Sequence, residues 1–260
     1  MITSTRHPLV QLLRRLGQSP RRDPDRRILL DGLRVIDEAL AAGITVEAAL
    51  VAADPPPRVA ALVTRLRSAG ARVHEAAPRV VQAASQVEAV QGIVAVARRP
   101  ELADEAILRA PNLLLLVADR IQDPGNIGTM IRTAAAAGAT AVAVTDRTVD
   151  PFLPKVLRGT AGAAFRIPIL SIDGTALRAT LAARAVRIVV ADPRGTVDYT
   201  EARVDPPVAI VVGNEASGPD PGWMSSGVRV RIPLVGPIES LNVAVAAALL
   251  LYEVRRRGGL

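Results

Sequence analysis

The sequence predicts an α/β fold made of two units, the second of them built around a parallel sheet. Apolar runs typical of buried strands alternate with amphipathic helical segments along most of the 260 residues, an order that favours parallel strands with helices on both faces. Half of the residues are hydrophobic, enough for a sizeable core. A polar stretch at residues 98–110 predicts a linker between a domain at residues 1–100 and a domain at residues 108–260.

Hydrophobic periodicity and helix-ending glycines define the elements of the first unit. Its predicted elements are, in order, a helix that follows Asp31-Gly32 and ends at Gly43, a strand over residues 46–52, a helix from the prolines at 55–57 to Gly70, and short strands near Val73 and over residues 92–97.

The second unit opens at residues 112–118 with a continuous apolar run, which is typical of a central parallel strand. The elements predicted after it are a helix over residues 127–137, a strand over 141–145, a helix over 152–159, strands over 186–191, 208–212 and 228–232, and a final helix over 241–257.

Composition excludes several kinds of site. No cysteine is present, which removes disulfides, thiolate metal ligands and cysteine nucleophiles. The two histidines, His7 and His74, lie outside the informative half of the chain and are interpreted as packing or surface residues, so we expect no metal site. The single lysine, Lys155, follows a proline and not a glycine, which excludes a Walker loop. No Gly-x-Gly-x-x-Gly motif follows a predicted strand, which argues against a dinucleotide-binding fold.

The charge of the chain indicates a polyanionic partner. The formal net charge is +7 and the isoelectric point is near 11.1, as in many nucleic-acid-binding proteins. Residues 1–30 alone carry a local charge of about +5. Aromatic residues are only 2% of the chain, so contact with phosphates and folded RNA is favoured over base stacking on single strands. A solvated basic arm is the alternative interpretation. The arginines expected to contact RNA are Arg6, Arg14, Arg15, Arg21, Arg22, Arg26 and Arg27.

The longest apolar run is too short for a membrane span, and the N-terminal residues lack the apolar stretch of a signal peptide. We therefore expect a cytoplasmic protein without a membrane partner.

Three polar segments stand out because a purely structural role does not explain their residues well. In residues 119–134, Asn126 is the predicted N-cap of a helix, and Arg132 falls on roughly the same side of that helix; an exposed helix arginine is the alternative. In residues 209–219, a buried strand runs into a glycine turn that holds Glu215, at the edge where open α/β sheets place ligands. A simple turn with a capping glutamate is the alternative there.

The third segment, residues 232–245, enters the final helix. Ser240 is the predicted N-cap, which would leave Asn242 among the exposed amides of the helix start. Such amides bind anions, and the carboxylate of a ligand that contains methionine is a candidate.

In their order and spacing, these three segments closely resemble motifs one, two and three of the SpoU-type RNA ribose 2′-O-methyltransferases of the SPOUT superfamily. The resemblance covers about residues 112–257, and residues 150–158 and 162–168 resemble the family's intermediate segment. The first unit, with Asp31-Gly32 and residues 91–95, resembles the ribosomal-protein-like domain with which many members bind substrate RNA. Members more often have Glu than Asp before that glycine, and Asp31 keeps the charge.

The resemblance implies S-adenosylmethionine as methyl donor, no metal, a C-terminal trefoil knot around the donor, and a homodimer. The final helix, with Leu249, Leu250 and Leu251, is expected to contribute to the dimer. The residues that the resemblance implies at the donor are Gly213, Ile232 and Leu241. The catalytic and RNA-facing residues that it implies are Asn126, Arg132, Glu215, Ser240 and Asn242. Since a guanidinium group stays positively charged, we expect Arg132 to stabilise the developing alkoxide, and Glu215 to position Arg132 or its own loop.

The expected function is methylation of a ribose 2′-hydroxyl in structured RNA, first of all 23S ribosomal RNA, and no DNA partner is expected. A transfer-RNA ribose methyltransferase, a base methyltransferase, a small-molecule enzyme and a non-catalytic RNA-binding scaffold of the same fold are the alternatives. The sequence leaves open the target nucleotide, and also whether the role is housekeeping or protection from a ribosome-targeting antibiotic, which some similar proteins provide.

Overall fold

The computed structural model describes residues 1–101 and 105–258 and divides the chain into two compact units. The first unit comprises Met1–Pro100 and Asp150–Arg166, and the second comprises Glu101–Val149 and Ile167–Leu260. The domain ranges 1–100 and 108–260 stay a prediction; in the structure, residues 150–166 pack with the first unit. Of the predicted linker, residues 102–104 lie outside the described residues, and Glu105–Arg109 form a short 3-10 helix.

The first unit is a four-stranded mixed sheet with helices. Its elements are α1 (Pro8–Gln18), β1 (Arg27–Asp31), α2 (Leu33–Ala41), β2 (Val46–Ala52), α3 (Pro57–Ser68), β3 (Arg72–Ala76), α4 (Pro78–Ala84), β4 (Ile93–Arg98) and, from the later segment, α6 (Pro154–Gly159). The strand order is β1-β4-β2-β3. β4 is antiparallel to β1 and β2, and β2 is parallel to β3.

Helix α1 was not anticipated from the sequence. His7 caps it, because its Nδ1 accepts a hydrogen bond from the Leu9 amide at 3.2 Å. Its apolar face, with Val10, Leu13 and Leu16, packs in the core of the unit. His7 is therefore a structural residue, as the sequence indicated.

The second unit is a seven-stranded sheet in which every neighbouring pair is parallel. Its elements are β5 (Leu114–Asp119), α5 (Pro124–Ala136), β6 (Ala141–Val144), β7 (Ile169–Ser171), α7 (Gly174–Ala183), β8 (Arg187–Ala191), β9 (Val197–Asp198), β10 (Val208–Gly213), α8 (Pro221–Ser226), β11 (Val228–Arg231) and α9 (Val243–Arg257). The strand order is β7-β6-β5-β10-β8-β11-β9. The predicted α/β class and the predicted parallel sheet are confirmed.

The two central strands, β5 and β10, are buried along their whole length. They are neighbours in register, with Gly213 at the end of β10 opposite Asp119 at the end of β5. Because parallel strands end at the same edge, the loops after these strands are held side by side. This edge is therefore where the second unit can assemble a site.

Among the helices that the structure describes, none combines the length and the apolar character needed to cross a lipid bilayer.

Candidate functional site

A cavity of about 790 Å³ lies at the carboxyl edge of the parallel sheet. Three loops enclose it: the one after β8, the one after β10, and the one that joins β11 to α9. The predicted donor residues Gly213, Ile232 and Leu241 all line it, together with Glu215, Ser240 and Asn242. The structure thus brings six of the eight residues implied by the resemblance to one cavity, while Asn126 and Arg132 do not line it.

Gly213 is required by the close return of its own loop. A Cβ atom at this position would lie 2.0 Å from the nitrogen of Pro219, a distance no side chain can tolerate. The loop after β10 turns back tightly because Gly218 adopts a left-handed φ of +68°, which glycine reaches without strain. The loop can therefore close against the end of β10 only because position 213 is a glycine.

A directional chain of side-chain hydrogen bonds joins the three predicted motifs. Asn242 Nδ2 donates to Asn126 Oδ1 at 2.9 Å, and Asn126 Nδ2 donates to Glu215 Oε1 at 2.8 Å. An ionised carboxylate can only accept, so Glu215 requires the amide nitrogen of Asn126 to face it. The oxygen of Asn126 then faces Asn242, which must donate. The charge of Glu215 therefore fixes the orientation of both amides.

The predicted cap of α5 is wrong by three residues. Asp123 is the N-cap and accepts from the Asn126 amide at 2.9 Å, and the helix begins at Pro124. Proline suits the first helical position because its missing N–H is not needed there. The Asn126 side chain is consequently free to bridge Glu215 and Asn242.

The predicted cap of α9 is also wrong. Asn242 is the N-cap, and its Oδ1 accepts from the amides of Ala244 at 2.9 Å and Val245 at 3.3 Å. Ser240 is exposed on the preceding loop. The two amides are occupied by Asn242, so they are not available to a donor carboxylate, contrary to the sequence-based expectation.

Arg132 projects from α5 as an exposed side chain. Neither a hydrogen bond nor an ion pair joins it to Glu215 or to another residue within the described ranges. Glu215 instead holds Asn126 and lies 3.4 Å from Asn214 Nδ2. The guanidinium of Arg132 is therefore free to meet an anionic ligand.

Asp119 and Arg120 anchor the loop after β10, a role that sequence reasoning missed. Asp119 is buried, and its carboxylate accepts from the Thr145 hydroxyl at 2.7 Å and the Asp220 amide at 2.8 Å. Arg120, at a φ of 57°, donates to the Gly218 carbonyl at 3.1 Å and accepts from Asn214 through its own carbonyl. Their position directly after β5 was the available signal, because that edge faces the loop.

The arginines of the first unit divide into two groups. Arg15 and Arg27 bind Asp23, and Arg27 also pairs with Asp25. Burial by itself would raise the pKa of Asp23, but the hydrogen bonds from Arg27 and Arg15 outweigh it and lower that pKa to about 2. Arg21 lies 3.7 Å from Asp150. The members of the second group are exposed and form no ion pair with a described residue: Arg6, Arg14, Arg22 and Arg26.

No cluster of three or more His, Asp or Glu side chains that could hold a metal ion occurs within residues 1–101 and 105–258.

Family models match segments in both units of the chain. The model of the SpoU rRNA methylase family matches residues 113–252, and that of the MRM3-like substrate-binding domain matches residues 7–95. The chain is 33% identical to the 23S rRNA (guanosine(2553)-2′-O)-methyltransferase RlmP of Bacillus subtilis, over 98% of both chains.

Two solved structures are similar along nearly the whole chain. One is a crystal structure of an RNA 2′-O ribose methyltransferase, with a TM-score of 0.83 and 37% identity over 99% of this chain and 98% of that one. The other is an AdoMet-bound rRNA methyltransferase from Sinorhizobium meliloti, with a TM-score of 0.84 and 29% identity over 98% and 97%. The resemblance carried by the three motifs is thereby confirmed, and the chain belongs to the SpoU rRNA methylase family.

Proposed function

We propose that this protein transfers a methyl group from S-adenosylmethionine to a ribose 2′-hydroxyl of 23S ribosomal RNA. The observation that carries the proposal is the chain Asn242–Asn126–Glu215 at the rim of the sheet-edge cavity. Similarity over the full length to a 23S rRNA 2′-O-methyltransferase supports the same activity.

The cavity fits the methyl donor. Its 790 Å³ lies within the range of small-molecule sites, roughly 300–1,000 Å³. Gly213 lines it at the end of β10, and Ile232 and Leu241 supply half-buried apolar walls. When bound, the donor supplies an electrophilic methyl group on its sulfonium. The protein's part is to hold it against the ribose and exclude competing water.

The polar chain serves to orient the ribose. Its members are linked in one direction, so the remaining hydrogen-bonding capacity of each amide points a fixed way. Ser240, exposed beside the cavity, adds a hydroxyl to the same wall. Preorganised dipoles of this kind favour a transition state because they need no reorientation during the reaction.

Arg132 stabilises the negative charge that develops on the ribose oxygen. An arginine side chain carries a permanent positive charge, so we assign Arg132 the role of an electrostatic donor and not of a base. Its side chain is exposed and unpaired within the described chain, so its N–H groups are available to the alkoxide and the adjacent phosphate. No metal ion takes part in this proposal.

The first unit binds the RNA. Arg6, Arg14, Arg22 and Arg26 are its free basic side chains near the N-terminus. Each phosphate contact adds about 0.7–0.9 to the slope of log affinity against log salt. The ion-paired Arg15, Arg21 and Arg27, which the charge pattern also predicted as contacts, have part of their capacity engaged by Asp23 and Asp150.

The proposal includes a trefoil knot in the second unit. It is supported by the position of the last segment, which passes from β11 along the donor cavity into α9. α9 then packs against α5 and the central strand β10.

A homodimer formed by the second unit is also part of the proposal. Helix α9 carries an exposed apolar stripe of Val245, Leu249 and Tyr252, spaced along one face of the helix. Of the three leucines expected at the dimer, Leu250 and Leu251 are buried in the core of the unit, so only Leu249 remains available. A dimer mass in light scattering supports this arrangement, and a monomer at micromolar concentration contradicts it.

The test is methyl transfer by the full chain to unmodified 23S rRNA and, separately, to unmodified transfer RNA. Radiolabelled donor reports incorporation, and primer extension maps the methylated ribose. Asn126→Ala is the control that we expect to be folded but inactive. Asp123 still accepts a hydrogen bond from the backbone amide of residue 126, so the start of α5 should be preserved. Transfer to tRNA alone would overturn the 23S assignment, and binding of 23S rRNA without transfer would indicate the scaffold alternative.

A further inference from the structure

A second cavity, of about 280 Å³, lies wholly within the first unit, far along the chain from the donor residues. It is formed by the start of α2, the loop before β4, and the segment at the end of α6. Its lining residues are Asp31, Gly32, Arg34, Val35, Glu38, Val87, Ala89, Gln91, Leu157, Arg158, Ala161 and Gly162. Two features that the sequence singled out, Asp31-Gly32 and Gln91-Gly92, therefore meet here.

Hydrogen bonds build the floor of this cavity. The Asp31 carboxylate is 2% exposed and accepts from the Ser85 hydroxyl at 2.9 Å and the Gln86 amide at 2.7 Å. Gln91 Oε1 accepts from the Leu33 amide at 2.8 Å, at the start of α2. The loop that carries Val87 and Ala89 is thus fixed at both ends, and the cavity exists before any ligand arrives.

The opposite wall is held open by a tight turn at Gly162. Its φ is +86°, and a Cβ atom there would lie 2.6 Å from both Arg166 Nη1 and Glu38 Oε2. Those two side chains form an ion pair at 2.8 Å. The absence of a side chain at Gly162 lets this pair close the wall without filling the cavity.

The cavity contains one arginine whose buried Nη1 has no hydrogen-bond acceptor, and a second arginine without an ion-pair partner among the described residues. Arg158 Nη1 is buried and has no hydrogen-bond acceptor among the described residues; its nearest carboxylate oxygen, Asp31 Oδ2, is 3.7 Å away. Arg34 is exposed at the mouth and pairs with no described residue. A buried donor without an acceptor favours a ligand that brings one.

The rest of the lining is apolar and small. Its apolar lining residues are Val35, Val87, Ala89, Leu157 and Ala161. No aromatic residue lines the cavity, so it is not an extended stacking platform for a single strand. Its size and its mixed walls suit one flat heterocycle with an acceptor edge and an attached phosphate.

We propose that this cavity receives one unstacked nucleotide of the substrate RNA, with its base against the apolar wall and Arg158, and its phosphate at Arg34. Sequence-specific RNA recognition commonly uses single bases that have left the helical stack. The cavity lies largely within the part of the chain that matches a substrate-binding domain, residues 7–95. This inference rests on the proposed 23S rRNA substrate and deepens it by assigning a contact away from the methylated ribose.

Two pairs of variants of the full chain test the site. Ala89→Phe places a ring in the exposed mouth of the cavity, and Ala61→Phe places the same ring on an exposed face of α3. Arg34→Ala removes the cation at the mouth, and Arg67→Ala removes an exposed arginine from α3. The two variants of each pair carry the same substitution, so they differ only in where on the first unit it is made.

We expect Ala89→Phe and Arg34→Ala to raise the KM for unmodified 23S rRNA about tenfold, the usual effect of losing one specific nucleotide contact. The kcat and the S-adenosylmethionine affinity should stay at wild-type values, because the donor site lies in the other unit. The α3 controls should change KM by less than about threefold, as expected for a nonspecific charge. Equal KM values within each pair would overturn the proposal.

Ultraviolet cross-linking of the wild type to the same RNA gives an independent readout. Mass spectrometry should find the linked nucleotide on residues 87–91 or 157–162, and links confined to other segments would overturn the proposal. If the wild type forms these links but transfers no methyl group, the proposed function fails and the cavity assignment stands. If methylation proceeds and no cavity variant departs from its control, the cavity assignment alone fails.

Discussion

Replacing Asn242 by aspartate separates two tasks that this side chain performs. Its Oδ1 caps α9, and its Nδ2 donates to Asn126 at 2.9 Å. Asn242→Asp keeps an acceptor for the cap but turns the donor into a second acceptor. Asn126 cannot rotate its amide to compensate, because its nitrogen would then leave Glu215 and its oxygen would face that carboxylate.

The magnitudes follow from these contacts. A carboxylate at a helix start gains about 0.3–1 kcal/mol from the helix dipole. Loss of the hydrogen bond to Asn126 removes about 0.5–1.5 kcal/mol. These terms oppose each other, so the free energy of unfolding of Asn242→Asp should stay within about 1 kcal/mol of the wild type. Asn242→Ala loses the cap as well, which typically costs about 1 kcal/mol and lowers Tm by about 2–4 °C.

Asn242→Asp should lose activity although it keeps most of its stability. A misplaced orienting group can slow a positioned reaction about 10²-fold, so Asn242→Asp should show a single-turnover rate lower by about that factor at saturating RNA. Thermal unfolding and calorimetry with S-adenosylmethionine provide the stability and donor-binding controls. A wild-type rate for Asn242→Asp would refute the orienting role of the chain. A Tm as low as that of Asn242→Ala would refute its capping role.

Three further changes test the surrounding structure. Arg132→Ala should bind the donor normally and transfer methyl about 10²–10³-fold more slowly, while an unchanged single-turnover rate would make Arg132 a bystander. Asp119→Ala leaves the partly buried Asp220 amide without its acceptor, which costs about 1–3 kcal/mol. Calorimetry should show weaker donor binding, and unaltered affinity would contradict the anchoring role. Hydrogen bonds from Arg256 and Arg257 outweigh the effect of burial and lower the pKa of Glu253 from 4.5 to about 2, so these ion pairs stabilise the fold above pH 4.5 and lose their contribution as the pH falls toward 2. Denaturant unfolding across that window should show the loss, and Glu253→Gln should lack this part of the pH dependence.

Much of the fold could be predicted because local patterns report it directly. The continuous apolar run at residues 112–118 predicted a central strand, and β5 is buried along its whole length. Short or atypical elements were not predicted. The two-residue strand β9 and the six-residue helix α8 are too short for a period to be read. Helix α1 was missed because its basic residues were interpreted as an arm, although its other face is buried.

Residues of the site were also predicted from the sequence, but both helix caps were assigned to the wrong residues. Order and spacing were enough to single out Asn126, Glu215 and Asn242, and all three belong to one hydrogen-bonded chain. The caps were assigned wrongly because several residues near each helix start can cap it equally well. Asp123 and Asn242 are the caps because the chain turns into each helix at these residues. The position of each turn depends on packing against other strands.

What the sequence by itself determined was the family and the class of fold, because these depend on residue type and spacing along the chain; on the same basis it predicted the residues of the site. Tertiary structure alone decided how those residues face one another. The Asn126–Glu215 and Asn126–Asn242 contacts join positions 89 and 116 residues apart, and the cavity at Asp31 needs residues 157–162 to close it. Hydrogen bonds act over about 3 Å, so their partners are set by the register of parallel strands and the turns between them, which no local pattern encodes.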